Sequence, residues 1–168
     1  MENRVARKID TRIALPMNSL ENQDPNRMMS RLAERNLRRG YVFNIPTGQA
    51  MIRCLYEKGI EVPAVTPEQI ASGSDAMQAA VTAGGFDQST PLWYYVLKEA
   101  EIEAGGAHLG SLGSRLVAET LIGLLLTDER SYLNQDSFNS WTPADAVQPK
   151  GEPITSLETM MRACGLHA

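Results

Sequence analysis

Four arginines fall within nine residues, Arg31, Arg35, Arg38 and Arg39, and they surround Asn36 on a segment whose Leu32, Ala33 and Leu37 spacing predicts a short helix. Guanidinium groups at that density serve as a solvated helix face, as a phosphate binder or as a clamp for carboxylates, because each planar fork can pair with two oxygens at once. Composition alone favours the solvated face. Other reactive side chains are sparse. The only two histidines are His108, just beyond Gly105-Gly106, and His167 beside the end of the chain; neither has metal-ligand spacing, and His108 reads as a solvated loop residue. Cys54 and Cys164 form no CxxC and read as free thiols. No G-x-S-x-G, phosphate-binding loop or strand-borne G-x-G-x-x-G occurs. Glu99, Glu103 and Glu119 stand on otherwise apolar helical stretches, with Glu99 and Glu103 on one face and Arg115 four residues before Glu119. That spacing suits an ion pair or a shared buried polar cluster better than acid–base chemistry. No catalytic or metal-ligating residue is assigned.

The scaffold for these residues is one domain's worth of chain. At 168 residues with 43% hydrophobic side chains, folding would remove roughly 70% of the unfolded surface from water, so neither disorder nor a disulfide scaffold is expected. The net charge is −4 and the pI is near 5.2, which gives no general attraction to nucleic acid; binding there would require a local patch. The charged start, Met1-Glu2-Asn3-Arg4-Val5-Ala6-Arg7-Lys8, does not resemble a secretory leader, so a cytoplasmic location is the default expectation. The longest apolar run, Leu116 to Leu126, contains Glu119 and Thr120 and is too short to span a bilayer.

Helical signals dominate and strand alternation is nearly absent, so the chain is expected to be mainly α. Residues 1–28, with Pro16, Pro25 and several asparagines, read as an extended arm that either wraps the domain or belongs to something larger. Residues 29–133 read as the helical region and 134–168 as a loop and a short terminal helix. Ser30 is expected to cap a helix ending at Gly40, and Thr47 one carrying Ala50, Met51, Cys54 and Leu55 on one face before Gly59. Thr66-Pro67-Glu68-Gln69 predicts a capping box with proline at the first helical position. A weak helix is expected at Asp75 to Ala83. Thr90-Pro91 opens a helix striped with Leu92, Trp93, Val96, Leu97, Ala100 and Ala104, ended by Gly105-Gly106. Ser111 to about Leu126 is expected to be the central core helix, and Thr155 with Glu158 to box the last one.

The stretch Leu32-Ala33-Glu34-Arg35-Asn36-Leu37-Arg38-Arg39-Gly40, followed by Ile45-Pro46-Thr47-Gly48-Gln49-Ala50, resembles the segment that follows the proximal histidine in animal-type haem peroxidases. Vertebrate members read Asn-x-x-Arg-x-Arg-Asp-His-Gly-Leu-Pro there. Bacterial relatives read Arg-Asn-Leu-x-Arg-Gly with a later Leu-Pro-Ser-Gly-Gln, and this chain is similar to the bacterial type. Ala6-Arg7-Lys8-Ile9-Asp10-Thr11 upstream agrees. So do Thr90-Pro91-Leu92-Trp93-Tyr94-Tyr95 and Leu109-Gly110 through Gly113-Ser114-Arg115-Leu116-Val117-Ala118-Glu119 downstream.

The resemblance implies the C-terminal portion of the all-helical haem peroxidase fold and a haem b cofactor. It implies that Asn36 accepts a hydrogen bond from the ring N–H of the proximal histidine, that Arg39 helps hold a propionate and that Leu32 lies against the macrocycle. Arg31, Arg35 and Arg38 inherit no role. No histidine precedes Asn36, so the iron ligand and the distal acid–base residues are expected on an N-terminal peroxidase half, with a small molecule or lipid as electron donor. Tyr41-Val42-Phe43-Asn44 replaces the vertebrate Arg-Asp-His-Gly. Two other functions fit the same residues: a fatty-acid oxygenase or dioxygenase on the shared scaffold, and a non-catalytic helical interaction module.

Overall fold

The computed structural model of the protein describes residues 7–13, 30–131, 134 and 159, and it is mainly helical. Among these residues six helices follow one another: α1 (Leu32–Val42), α2 (Gly48–Glu57), α3 (Pro67–Ala71), α4 (Asp75–Ala83), α5 (Leu92–Ala104) and α6 (Ser111–Thr127). Among the described residues the only strand-like pairing is a single bridge between Thr47 and Pro91.

Local chemistry sets most of the boundaries. Thr47 caps α2 by accepting from the Ala50 N–H at 3.2 Å. Thr66 and Gln69 form the reciprocal capping box of α3, with Pro67 at its first position. The expected helix at Asp75 to Ala83 forms as α4. Gly105, with φ of 57°, ends α5 in the left-handed conformation.

Three boundary expectations are corrected. Ser30 does not cap α1; Arg31 holds that position without a side-chain hydrogen bond, and Ser30 is buried instead. Nor does α1 stop at Gly40. It runs to Val42 because Asn44 adopts the left-handed turn at φ 52°, which an asparagine tolerates, and the Asn44 and Ile45 N–H groups close back on Tyr41 and Gly40. Thr90 does not cap α5 either, since Pro91 occupies that position. The Thr90 hydroxyl is committed elsewhere, donating to the Phe86 carbonyl at 2.6 Å and accepting from the Gln49 amide at 2.7 Å.

The chain divides into two compact units, Met1–Val117 and Ala118–Ala168. In the first, α5 is the central element: α1, α2 and α3 all pack on it, and Tyr95, Lys98, Glu99 and Ala100 are buried along it. Tyr95 joins Leu55, Val65, Ile70, Ala71, Val81 and Leu112 in the core. Cys54, expected beside Leu55 on the inner face of α2, is exposed. The polar ends of α5 side chains fasten the irregular segment between α2 and α4. The Tyr95 hydroxyl accepts the Val65 N–H at 2.9 Å, and the buried Lys98 ammonium donates to the Ser72 carbonyl at 2.8 Å and to Glu101 at 3.0 Å. Of the arm, residues 7–13 dock on the end of α5, where the Ile9 N–H donates to the Gly106 carbonyl at 2.8 Å.

The expectation that α6 forms the central core is overturned. It buries only Leu112 and Gly113, while Val117, Leu121, Ile122, Leu124 and Leu126 are exposed. An apolar stripe at helical spacing says that a face is to be covered, and tertiary packing decides what covers it. The expected terminal helix at Thr155, Cys164, His167 and most of the arm lie outside the described residues.

Candidate functional site

Leu32, Asn36 and Arg39 recur at four and three residues along α1, which places them on one face of that helix. Leu32 and Asn36 are half-buried and Arg39 is exposed. The helix buries no residue completely, although it packs on α5. Its arginines divide by partner. Glu34 sits 3.5 Å from Arg38 and 4.0 Å from Arg31, at spacings of four and three residues that suit a helix-surface ion pair. Arg39 forms no ion pair among the described residues; its guanidinium stands 5.8 Å from the centre of the Phe43 ring. The carboxamide of Asn36 makes no hydrogen bond among the described residues. The structure therefore brings the three expected residues onto one helix face and leaves the polar pair open to a further partner.

The α5–α6 junction answers the question posed by the carboxylates. Both Glu99 and Glu103 reach across to the start of α6. Glu103 accepts from the Ser111 N–H at 2.7 Å and the Ser111 hydroxyl at 2.8 Å. Glu99, fully buried, accepts from the Leu112 N–H at 2.8 Å with one oxygen and from the Gly113 N–H at 2.9 Å with the other. Three N–H groups that a helix start leaves unpaired are thus satisfied by two carboxylates, which also face the positive end of the helix. Gly110 is required there, because a Cβ at that position would collide with the Glu99 side chain. Burial raises the Glu99 pKa; the N–H groups of Gly113 and Leu112 oppose this, and the charge of Glu103 adds to it. The cluster is structural. Sequence spacing put Glu99 and Glu103 on one face, but only the fold showed that their partners are backbone groups 8 to 14 residues away.

A concavity of about 520 Å³ lies elsewhere, lined by Gln49, Ile52, Arg53, Tyr56, Glu61, Val62, Ala64 and Tyr95. None of the residues expected from the sequence lines it. Its floor is apolar, with Arg53 and Glu61 as its charged members. The signal available for it was the spacing of Ile52, Arg53 and Tyr56 on α2, which carries no chemistry without the 60–65 segment opposite. Gln49, at one edge, clasps the turn before α5: its amide donates to the Asp87 carbonyl at 3.2 Å and to the Thr90 hydroxyl, and its oxygen accepts the Thr90 N–H at 3.0 Å.

His108 is exposed, and its Nδ1–H donates to the neighbouring Leu109 carbonyl at 2.7 Å, in keeping with a loop residue. Among the described residues no cluster of histidine, cysteine or carboxylate could hold a metal ion, and no helix is long and apolar enough to cross a membrane. No family model, characterised protein or solved structure matches the chain.

Proposed function

We propose that this chain forms one wall of a haem pocket in a peroxidase-type domain, with the axial histidine and the distal acid–base residues supplied by an N-terminal half. The observation that carries this reading is the face of α1, on which a half-buried Asn36 amide lies one turn from Arg39, the amide without a hydrogen bond and the arginine without a carboxylate partner among the described residues. Arg31 and Arg38 already share Glu34, whereas Arg39, on the face of Asn36, pairs with no carboxylate among the described residues and is placed to meet an anion. Uncovered apolar surface adds support. Leu92, Trp93, Val96 and Leu97 on α5 remain half-buried, and the second half of α6 exposes Leu121, Ile122, Leu124 and Leu126.

These residues fit the periphery of a haem and not its iron. Arg39 would hold a propionate through a charge-assisted hydrogen bond, and Leu32 would pack against the ring. The Asn36 oxygen would accept the N–H of an incoming histidine, fixing its tautomer and raising its basicity. When bound, haem supplies the redox chemistry of peroxide reduction. A small molecule or a lipid donor suits the reading equally.

Haem titration followed by Soret absorbance tests it. The chain alone is expected to give no histidine-ligated spectrum, and a mixture with the histidine-bearing N-terminal half of a bacterial haem peroxidase is expected to give one. Arg39→Ala should weaken haem retention by the mixture about tenfold, the loss of one charged hydrogen bond. A saturable histidine-ligated spectrum from the chain alone, indifferent to Asn36→Ala and Arg39→Ala, would assign the iron to His108 or His167 and overturn the proposal. No haem binding with either sample would leave the non-catalytic interaction module, a reading favoured by the ion-paired Glu34 and the Arg39–Phe43 stack, which occupy α1 without a cofactor.

A further inference from the structure

The end of α1 carries a feature that the haem reading does not use. Tyr41, Val42, Phe43 and Ile45 are 89%, 74%, 65% and 47% exposed, a run of apolar side chains interrupted only by Asn44. Such a run is costly in water unless something covers it. Its backbone N–H groups, by contrast, are bonded within the turn. The Phe43 N–H donates to the Arg39 carbonyl at 2.9 Å, Asn44 to Tyr41 at 3.0 Å and Ile45 to Gly40 at 2.9 Å, while Pro46 has no N–H to satisfy. The left-handed Asn44 closes this turn. A tip with apolar side chains and internally bonded N–H groups strands no backbone donor when it enters the interfacial layer of a bilayer, where its carbonyls and polar side-chain groups keep water.

Charge identifies the medium. Arg31, Arg35 and Arg38 follow at four and three residues, so they form a basic stripe along α1 leading to Val42, with Glu34 as the one acid of the helix. The chain as a whole is acidic at −4, so this is a local concentration of positive charge against the trend of the molecule. An aromatic and aliphatic tip fringed by arginines is the arrangement that settles at the headgroup–acyl boundary of an anionic bilayer.

We propose that the 41–45 tip of α1 is a peripheral membrane anchor, in which Tyr41, Val42, Phe43 and Ile45 enter an anionic leaflet while Arg31, Arg35 and Arg38 meet its acidic headgroups. This requires no spanning helix, and it stands independently of the haem proposal because it uses neither Asn36 nor Leu32. Both sets of anchoring residues lie along α1 and its C-terminal turn, a helix that buries no residue completely, so substituting them leaves the core around Tyr95 intact.

The test is co-sedimentation of the purified full chain with vesicles of phosphatidylcholine alone and of phosphatidylcholine with phosphatidylserine, at low and high salt. Wild type is expected to sediment with the anionic vesicles and to be released by salt. Val42→Ser with Phe43→Ser should reduce partition more than about tenfold. Each of Arg31→Gln, Arg35→Gln and Arg38→Gln should reduce it about fivefold. Thermal melting of these variants should match wild type. Equal binding to neutral vesicles, binding that survives the tip substitutions, or no binding to either vesicle overturns the proposal. A tip variant that keeps its vesicle binding but no longer associates with an N-terminal peroxidase half also overturns it, by assigning the tip to a subunit seam. Because the readout needs no haem, its failure and the failure of the haem reading are seen separately.

Discussion

Glu99→Gln isolates the device that starts α6. The carboxylate offers one oxygen to the Leu112 N–H and the other to the Gly113 N–H, at 2.8 and 2.9 Å, in a site closed to solvent. Glutamine keeps one acceptor and turns an NH2 toward the second N–H, leaving a buried donor unsatisfied at a cost of about 1–3 kcal/mol. Loss of the negative charge at a partly buried helix start adds up to about 2 kcal/mol. Relief of the buried charge offsets part of this, so the net loss should be about 2 kcal/mol, or roughly 4–8 °C in Tm for a chain of this size. Thermal unfolding followed by far-ultraviolet circular dichroism reads it directly. The pH dependence carries a second sign. Burial holds the folded pKa of Glu99 above its reference of 4.5, so the folded protein binds that proton more tightly than the unfolded chain does. Wild type therefore gains stability over the glutamine variant as pH falls through the raised folded value toward 4.5, and the gap between them is smallest at neutral pH and above. A variant melting within about 1 °C of wild type, or a gap that closes between about pH 7 and about pH 5, would refute the reasoning.

Two further substitutions probe the packing and the hydrogen bond of Tyr95. In Gly48→Ala the new methyl would fall on the Tyr95 ring carbons, so overpacking should cost about 1–3 kcal/mol, seen as a Tm lower by several degrees. Tyr95→Phe keeps the ring and removes the acceptor of the buried Val65 N–H; the urea midpoint should fall by about 1–2 kcal/mol of stability with the m-value unchanged.

The helices of the chain were legible wherever local chemistry alone sets them. Thr66, Pro67 and Gln69 start α3 through atoms within three residues of one another, Thr47 caps α2 in the same way, and Gly105 ends α5 because its φ is cheap only for glycine. Boundaries that depend on distant partners were not legible. Thr90 has the right type and place for a cap, but Gln49, 41 residues away, holds its hydroxyl and its N–H, and the helix begins one residue later. Gly40 looked like a stop and is carried through, because the left-handed Asn44 closes the helix instead.

The same division holds for the site. The resemblance singled out Leu32, Asn36 and Arg39, and at 3.6 residues per turn their spacing puts them on one face of a helix. Spacing also put Glu99 and Glu103 together. Tertiary structure decided that two carboxylates serve as the N-terminal cap of α6, and that Arg53 and Glu61 share a concavity with Tyr95. It also set the roles of α5 and α6. The apolar stripe of α6 is the more continuous in sequence, yet α5 is the core element and α6 exposes Leu121, Ile122, Leu124 and Leu126. Apolar periodicity fixes which face of a helix avoids water, whereas burial requires opposing surface, and that surface comes from other segments of the fold or from a partner.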